Sequence, residues 1–194
     1  MALRTWLHRQ LPHIWLSRGV VAWLLRPMAW LYEIALLVRT GLYQAGLKSR
    51  HRLPVRVIVV GNVVAGGAGK TPVTMALVQH LQKKGHTVGV ISRGHGRLSR
   101  DTREVLPSDR PETVGDEPLL IRQKTGVPVW VGSSRVAAGQ ALLAAHTQVN
   151  TLVCDDGLQH WALARDIEVC VMDERGVGNG WLLPAGPVRE KWPR

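Results

Sequence analysis

A chain of 194 residues is long enough for one well-packed domain and marginal for two, and 45% apolar with 20% charged residues argues against wholesale disorder. The net charge of +11 is uneven: residues 1–56 carry nine Lys/Arg against Glu33 alone, net +8, while 57–194 carry sixteen against thirteen acids, net +3. A nucleic-acid-binding surface would spread its basic excess over the folded domain, so that class is disfavoured, and the two cysteines, Cys154 and Cys170, have neither metal spacing nor a disulfide pattern and suit a reducing, cytosolic setting.

Residues 1–47 are apolar but interrupted. Arg4, Arg9, Arg18, Arg26, Glu33 and Arg39 recur too often for a membrane span, which needs roughly 20 residues with few charges. Pro27 divides the region into two predicted helices. In the second, Trp30, Leu31, Ile34, Leu37, Val38 and Leu42 recur at helical spacing. Trp6, Trp15, Trp23 and Trp30 are interleaved with arginines, and both side-chain types favour the headgroup level of a bilayer. Contact with an anionic membrane surface and packing of amphipathic helices on the chain's own domain are the two readings.

A basic hinge over 48–56 separates this segment from a core domain over 48–194. The pattern then predicts strands over 55–60, 87–91, 128–131, 151–154 and 167–172, and helices over 71–84, 116–125 and 135–146. Residues 92–114 read as too irregular for a core element. Strands alternating with helices predict an α/β fold of the P-loop NTPase type, a mostly parallel sheet with helices on both faces.

The strongest local signal is the run from Gly61 to Thr71, between a strand and a helix. Gly66, Gly67, Ala68, Gly69, Lys70 and Thr71 form the core of a phosphate-binding loop: glycine backbone N–H groups cradle phosphates, Lys70 reaches the β- and γ-phosphates, and the Thr71 hydroxyl ligates Mg²⁺. The strict motif has glycine at position 64, where this chain has Val64. Partition-type ATPases carry a second lysine just before the double glycine; here that position is Ala65, which counts against the alternative reading, a membrane-associated, non-kinase P-loop ATPase of that type. Downstream, an apolar strand ends in Asp155 and Asp156, where such folds need an acid for Mg²⁺.

An ordered set of motifs follows the same chain: Gly61-Asn62 before the loop and Pro72 after it; Ser92-Arg93-Gly94-His95-Gly96; Gly115-Asp116-Glu117-Pro118; Asp155-Asp156-Gly157-Leu158-Gln159-His160 with Arg165-Asp166; and Leu183-Pro184-Ala185-Gly186-Pro187 with Arg189-Glu190. The set, over about 28–190, resembles the tetraacyldisaccharide 4′-kinases of lipid A synthesis. His95 and Leu158 stand where that family usually has Tyr and Phe.

The resemblance implies transfer of the γ-phosphate of ATP, with Mg²⁺, to the 4′-hydroxyl of a tetraacyldisaccharide 1-phosphate. The product is the lipid A precursor lipid IVA, made at the cytoplasmic face of the inner membrane by a peripheral enzyme. It implies Asp116 as the group that orients or deprotonates the hydroxyl, with His160 assisting, and Arg93 and the loop around Arg97 near phosphates. The family continues through a second, smaller α/β domain, so the resemblance also implies a truncated chain of low or no activity.

Overall fold

The computed structural model describes residues 14–192, and the chain divides into two compact units. One comprises Ser49–Gly61 and Gly69–Val171. It holds a six-stranded sheet of order β3-β4-β2-β5-β1-β6. The strands are β1 (Arg56–Gly61), β2 (Val88–Ser92), β3 (Arg103–Glu104), β4 (Val129–Val131), β5 (Thr151–Asp155) and β6 (Ile167–Cys170). All neighbours are parallel except β3 and β4.

The central strands are apolar on both faces because both faces are covered. Val60, Val88, Val90, Val129, Val131 and Val153 pack with Val78 of a helix over Lys70–Lys83 and with Leu119 and Ile121 of another over Asp116–Thr125. The alternate residues face the other way. Gly89 of β2 lies so close to Leu142, on a helix over Arg135–Ala145, that a Cβ there would come within 2.7 Å of its Cδ2. Helices therefore cover both faces, as predicted. Residues 92–114 hold more than expected: the two-residue β3 pairs with β4, and a short helix spans Pro111–Val114. Neither has a periodicity to read, since a two-residue bridge is specified by its partner strand.

The second unit comprises Met1–Lys48, Asn62–Ala68 and Met172–Arg194. In chain order the helices that lie wholly within the described residues are α1 (Val20–Leu24), α2 (Arg26–Gln44), α3 (Lys70–Lys83), α4 (Pro111–Val114), α5 (Asp116–Thr125) and α6 (Arg135–Ala145). Pro27 lies in the first turn of α2, where a missing N–H costs nothing. Trp6 lies outside the described residues. Ala22, Ala29, Trp181 and Ala185 form a small core. Trp181 packs edge-on to Trp23 at 5.0 Å, and the Arg26 guanidinium lies 4.4 Å from its ring centroid. Tyr32 of α2 donates to the Arg189 carbonyl at 2.8 Å, and Glu33 pairs with Lys191 at 2.7 Å. The polar side of α2 thus faces its own unit. Met28, Trp30, Leu31, Ile34, Leu37 and Val38 are all more than half exposed.

Candidate functional site

The glycine loop is built differently along its length. Residues 63–65 pair with 187–189: Val64 bridges Val188, Ala65 N–H donates to the Pro187 carbonyl at 2.7 Å, and Arg189 N–H donates to the Val63 carbonyl at 2.7 Å. This accounts for Val64 where the strict motif has glycine. A buried, bridge-paired residue whose φ is not positive needs a side chain for the core and no left-handed backbone. It also gives the Pro187–Arg189 motif a task, since that segment buttresses the loop. Asn62, fully buried, donates from its side-chain amide to the Gly66 carbonyl at 3.2 Å and ties the ends of the turn. Gly66 has φ 102°, a conformation that effectively requires glycine. Gly67 does not, and a Cβ there would meet nothing within 4 Å, leaving open space before the backbone.

In the sheet-bearing unit, Gly69 with φ 72° heads α3, and no side chain caps the helix. The first-turn N–H groups and the dipole therefore favour an anion at Lys70 and Thr71. Lys70 Nζ lies 3.6 Å from Asp156 Oδ1. Asp155 pairs in register with Val60, one residue before β1 ends at Gly61. It is fully buried, and its Oδ1 accepts from the Thr74 hydroxyl at 2.8 Å. Burial pushes its carboxyl up to about 6; Glu117 and Asp156 add to the shift, while the Thr74 hydrogen bond and Lys70 oppose it. Asp155 Oδ2 is buried and has no hydrogen-bond partner.

A buried, unsatisfied carboxylate oxygen is the chemistry a hard cation would complete. Among the described residues no three His, Cys, Asp or Glu side chains gather as a metal cage. Mg²⁺ takes most of its ligands from phosphates and water and one or two from protein. The donor set Thr71, Asp155 and Asp156 is therefore of the right kind.

Asp116 opens α5 at the surface, and its Oδ1 accepts from Glu117 N–H at 2.9 Å. The two glycine motifs meet before it, since a Cβ on Gly94 would lie 2.7 Å from the Val114 carbonyl. Arg93 is exposed, whereas the nearly buried Arg97 side chain is tied to Asp101, with Nη2 donating to its carbonyl at 2.6 Å. His160 Nε2 accepts from the Arg135 backbone N–H at 3.3 Å, at the first turn of α6. Three residues of this neighbourhood escape sequence reasoning. Thr74 lies one turn beyond Lys70 and reads as an ordinary helix position. Glu117 acts electrostatically on Asp155 but follows the more conspicuous Asp116. Arg135, 4% exposed, donates to the Asp156 carbonyl at 3.3 Å yet reads only as a helix start. A groove of about 1000 Å³ lined by Arg52, Arg56, His86 and Asp166 lies at the opposite, amino ends of β1 and β5. Ligands of such sheets gather at the carboxyl ends, so the chemistry is assigned there.

A parallel sheet whose β1 runs into a glycine loop and a Lys-Thr-headed helix, with a buried acid ending the neighbouring strand, defines a P-loop nucleotide-binding fold. The family model for tetraacyldisaccharide-1-P 4′-kinase matches residues 21–194, and the chain belongs to that family. Tetraacyldisaccharide 4′-kinase from Acidovorax sp. (strain JS42) is 61% identical over 180 residues, covering 93% of this chain and 53% of the relative. The protein of that name from Leptothrix cholodnii is 58% identical over 176 residues, covering 91% and 51%. Among solved structures, LpxK from Aquifex aeolicus in complex with ATP superposes with a TM-score of 0.80 at 34% identity, covering 88% of this chain and 55% of that one. The chain spans about half the length of the curated relatives it matches.

Proposed function

We propose that the whole protein transfers the γ-phosphoryl group of ATP to the 4′-hydroxyl of a tetraacyldisaccharide 1-phosphate at the cytoplasmic surface of the inner membrane. The observation that carries the reading is the buried Asp155, with one oxygen unsatisfied, on the strand beside the one that enters the glycine loop. The substrate class comes from the family and from the names of its relatives. The N–H groups of Gly66–Thr71 and the Lys70 ammonium bind the β- and γ-phosphates. Thr71, Asp155 and Asp156 would hold Mg²⁺, which supplies charge neutralisation on the phosphates when bound.

Asp116 accepts the proton of the 4′-hydroxyl as its oxygen bonds to the γ-phosphorus, and the bond from that phosphorus to the β-bridging oxygen breaks to release ADP. His160 assists, its ring orientation set by the Arg135 N–H. The exposed apolar side of α2, together with the N-terminal positive charge, seats the protein on an anionic bilayer that holds the lipid acceptor.

In the full-length protein, Lys70→Ala is expected to abolish turnover of labelled ATP. Asp116→Asn is expected to lower kcat far more than it raises KM for ATP, because its contact strengthens in the transition state. Wild-type phosphoryl transfer in Lys70→Ala would overturn the reading. A loss confined to ATP affinity in Asp116→Asn would move that residue to the nucleotide side.

A further inference from the structure

Arg175 belongs to none of the motifs above, yet its guanidinium lies on the glycine loop. Nη2 donates to the Gly67 carbonyl at 2.5 Å. A Cβ on Gly66 would lie 3.6 Å from Nη1. The guanidinium is itself held: Nε donates to both Asp173 oxygens at 3.0 Å, and Arg175 backbone N–H donates to Asp173 Oδ1 at 3.0 Å. The same turn is closed by Gly176 N–H donating to the Asp173 carbonyl at 3.0 Å. The hydrogen bond from Arg175 holds the Asp173 carboxyl below its ordinary range, so the clamp stays ionised at neutral pH.

We propose that Arg175, clamped by Asp173, is a positioning residue that fixes the Gly67–Ala68 peptide so that its N–H is presented to a bound phosphate. The argument is geometric. A trans peptide is planar, with its C=O and N–H pointing in opposite directions. A guanidinium bound to the Gly67 oxygen therefore turns the Ala68 N–H the other way. The peptides around Gly66 and Gly67 are the ones most free to rotate, because neither residue has a Cβ. A charge-assisted hydrogen bond at that point removes the freedom before phosphate arrives, and preorganisation of this kind appears as affinity.

The inference rests on the nucleotide-loop reading, and the experiment separates the two. ATP, ADP and AMP affinities are measured on full-length protein for the wild type, Arg175→Ala, Arg175→Lys, Asp173→Asn and Lys70→Ala. Melting temperatures are recorded alongside. Arg175→Ala is expected to weaken ATP and ADP about tenfold and to leave AMP unchanged. Arg175→Lys should recover part of the loss, since it keeps the charge without the fork. Asp173→Asn should show a smaller loss of the same pattern, and KM for ATP should rise with kcat little changed. Unchanged ATP and ADP affinity in Arg175→Ala, beside a loss in Lys70→Ala, would overturn the role of Arg175 alone. An equal loss for AMP would also overturn it, as general damage to the unit. Undiminished ATP affinity in Lys70→Ala would instead remove the nucleotide-loop reading beneath it.

Discussion

Asp155 holds a charge where water cannot reach it, with one oxygen bonded to Thr74 and the other unsatisfied. Burial pushes its carboxyl from an ordinary 3.8 up to about 6, so between those values the folded state binds more protons than the unfolded one. Stability therefore falls as pH rises from 3.8 to about 6, and the cost is fully present above that. Asp155→Asn keeps the shape and the Thr74 bond while deleting the charge. Nucleotide-free Asp155→Asn is expected to melt at or above the wild-type temperature at pH 7–8, with the gap closing as pH falls through 6 to 3.8. The extra stabilisation conferred by Mg²⁺ with nucleotide should shrink in the same variant. Thermal melts across pH 4–8 check this; a gap independent of pH would count against a buried, ionised Asp155. Arg135 stands beside this residue in the same neighbourhood, its guanidinium on the carbonyl of Asp156, whose φ of 50° is rare for a non-glycine residue.

At the scale of elements, the turn after β5 leaves its glycine less room for a side chain than any other glycine of the sheet-bearing unit. A Cβ on Gly157 would collide with Cys154 Sγ and lie 3.0 Å from Val59 Cγ1. The adjacent Leu158 is fully buried and crowds Gly61, where a Cβ would meet its Cγ at 2.7 Å. The Asp-Asp-Gly-Leu run is thus a packing device as well as a row of acids. Gly157→Ala is expected to destabilise the protein by about 1–3 kcal/mol through overpacking. Cys154→Ala in the same chain should restore part of that loss, because it removes the sulfur the new methyl meets. Urea unfolding of the single and double variants checks the coupling; strict additivity would show that the clash is relieved elsewhere.

At the scale of the molecule, the two units have different surfaces. The sheet-bearing unit covers its apolar strands with helices. The other leaves apolar side chains of α1 and α2 in solvent, Leu24 at 74% and Leu31 at 69% exposure among them, while Arg26, Tyr32 and Glu33 turn toward their own unit. Among the described residues no helix is long and apolar enough to cross a membrane. The proposed seat on an anionic bilayer would use this apolar side of α1 and α2. Leu31→Asp with Val38→Asp is expected to reduce co-sedimentation with phosphatidylglycerol vesicles several-fold, and added salt should weaken wild-type binding. Undiminished sedimentation of the double variant would leave the patch without a membrane role.

The sequence by itself determined the parts whose specification is local. A glycine loop between an apolar strand and a helix, a strand ending in Asp155 and Asp156, and a kinase family's motifs in order are all patterns of neighbours along the chain. It also carried the alternation that makes the sheet parallel and two-faced. The tertiary structure decided what depends on residues far apart. It placed β5 between β1 and β2, which sets Asp155 beside the strand that enters the loop. It paired Val64 with Val188, so the missing glycine of the strict motif became a buried valine. It set Arg175 against Gly67 and Arg135 against Asp156, where nothing in the local pattern distinguishes these arginines from solvated ones. Backbone propensity and hydrophobic period act over a few residues, whereas the partner of a guanidinium is chosen by where the chain returns.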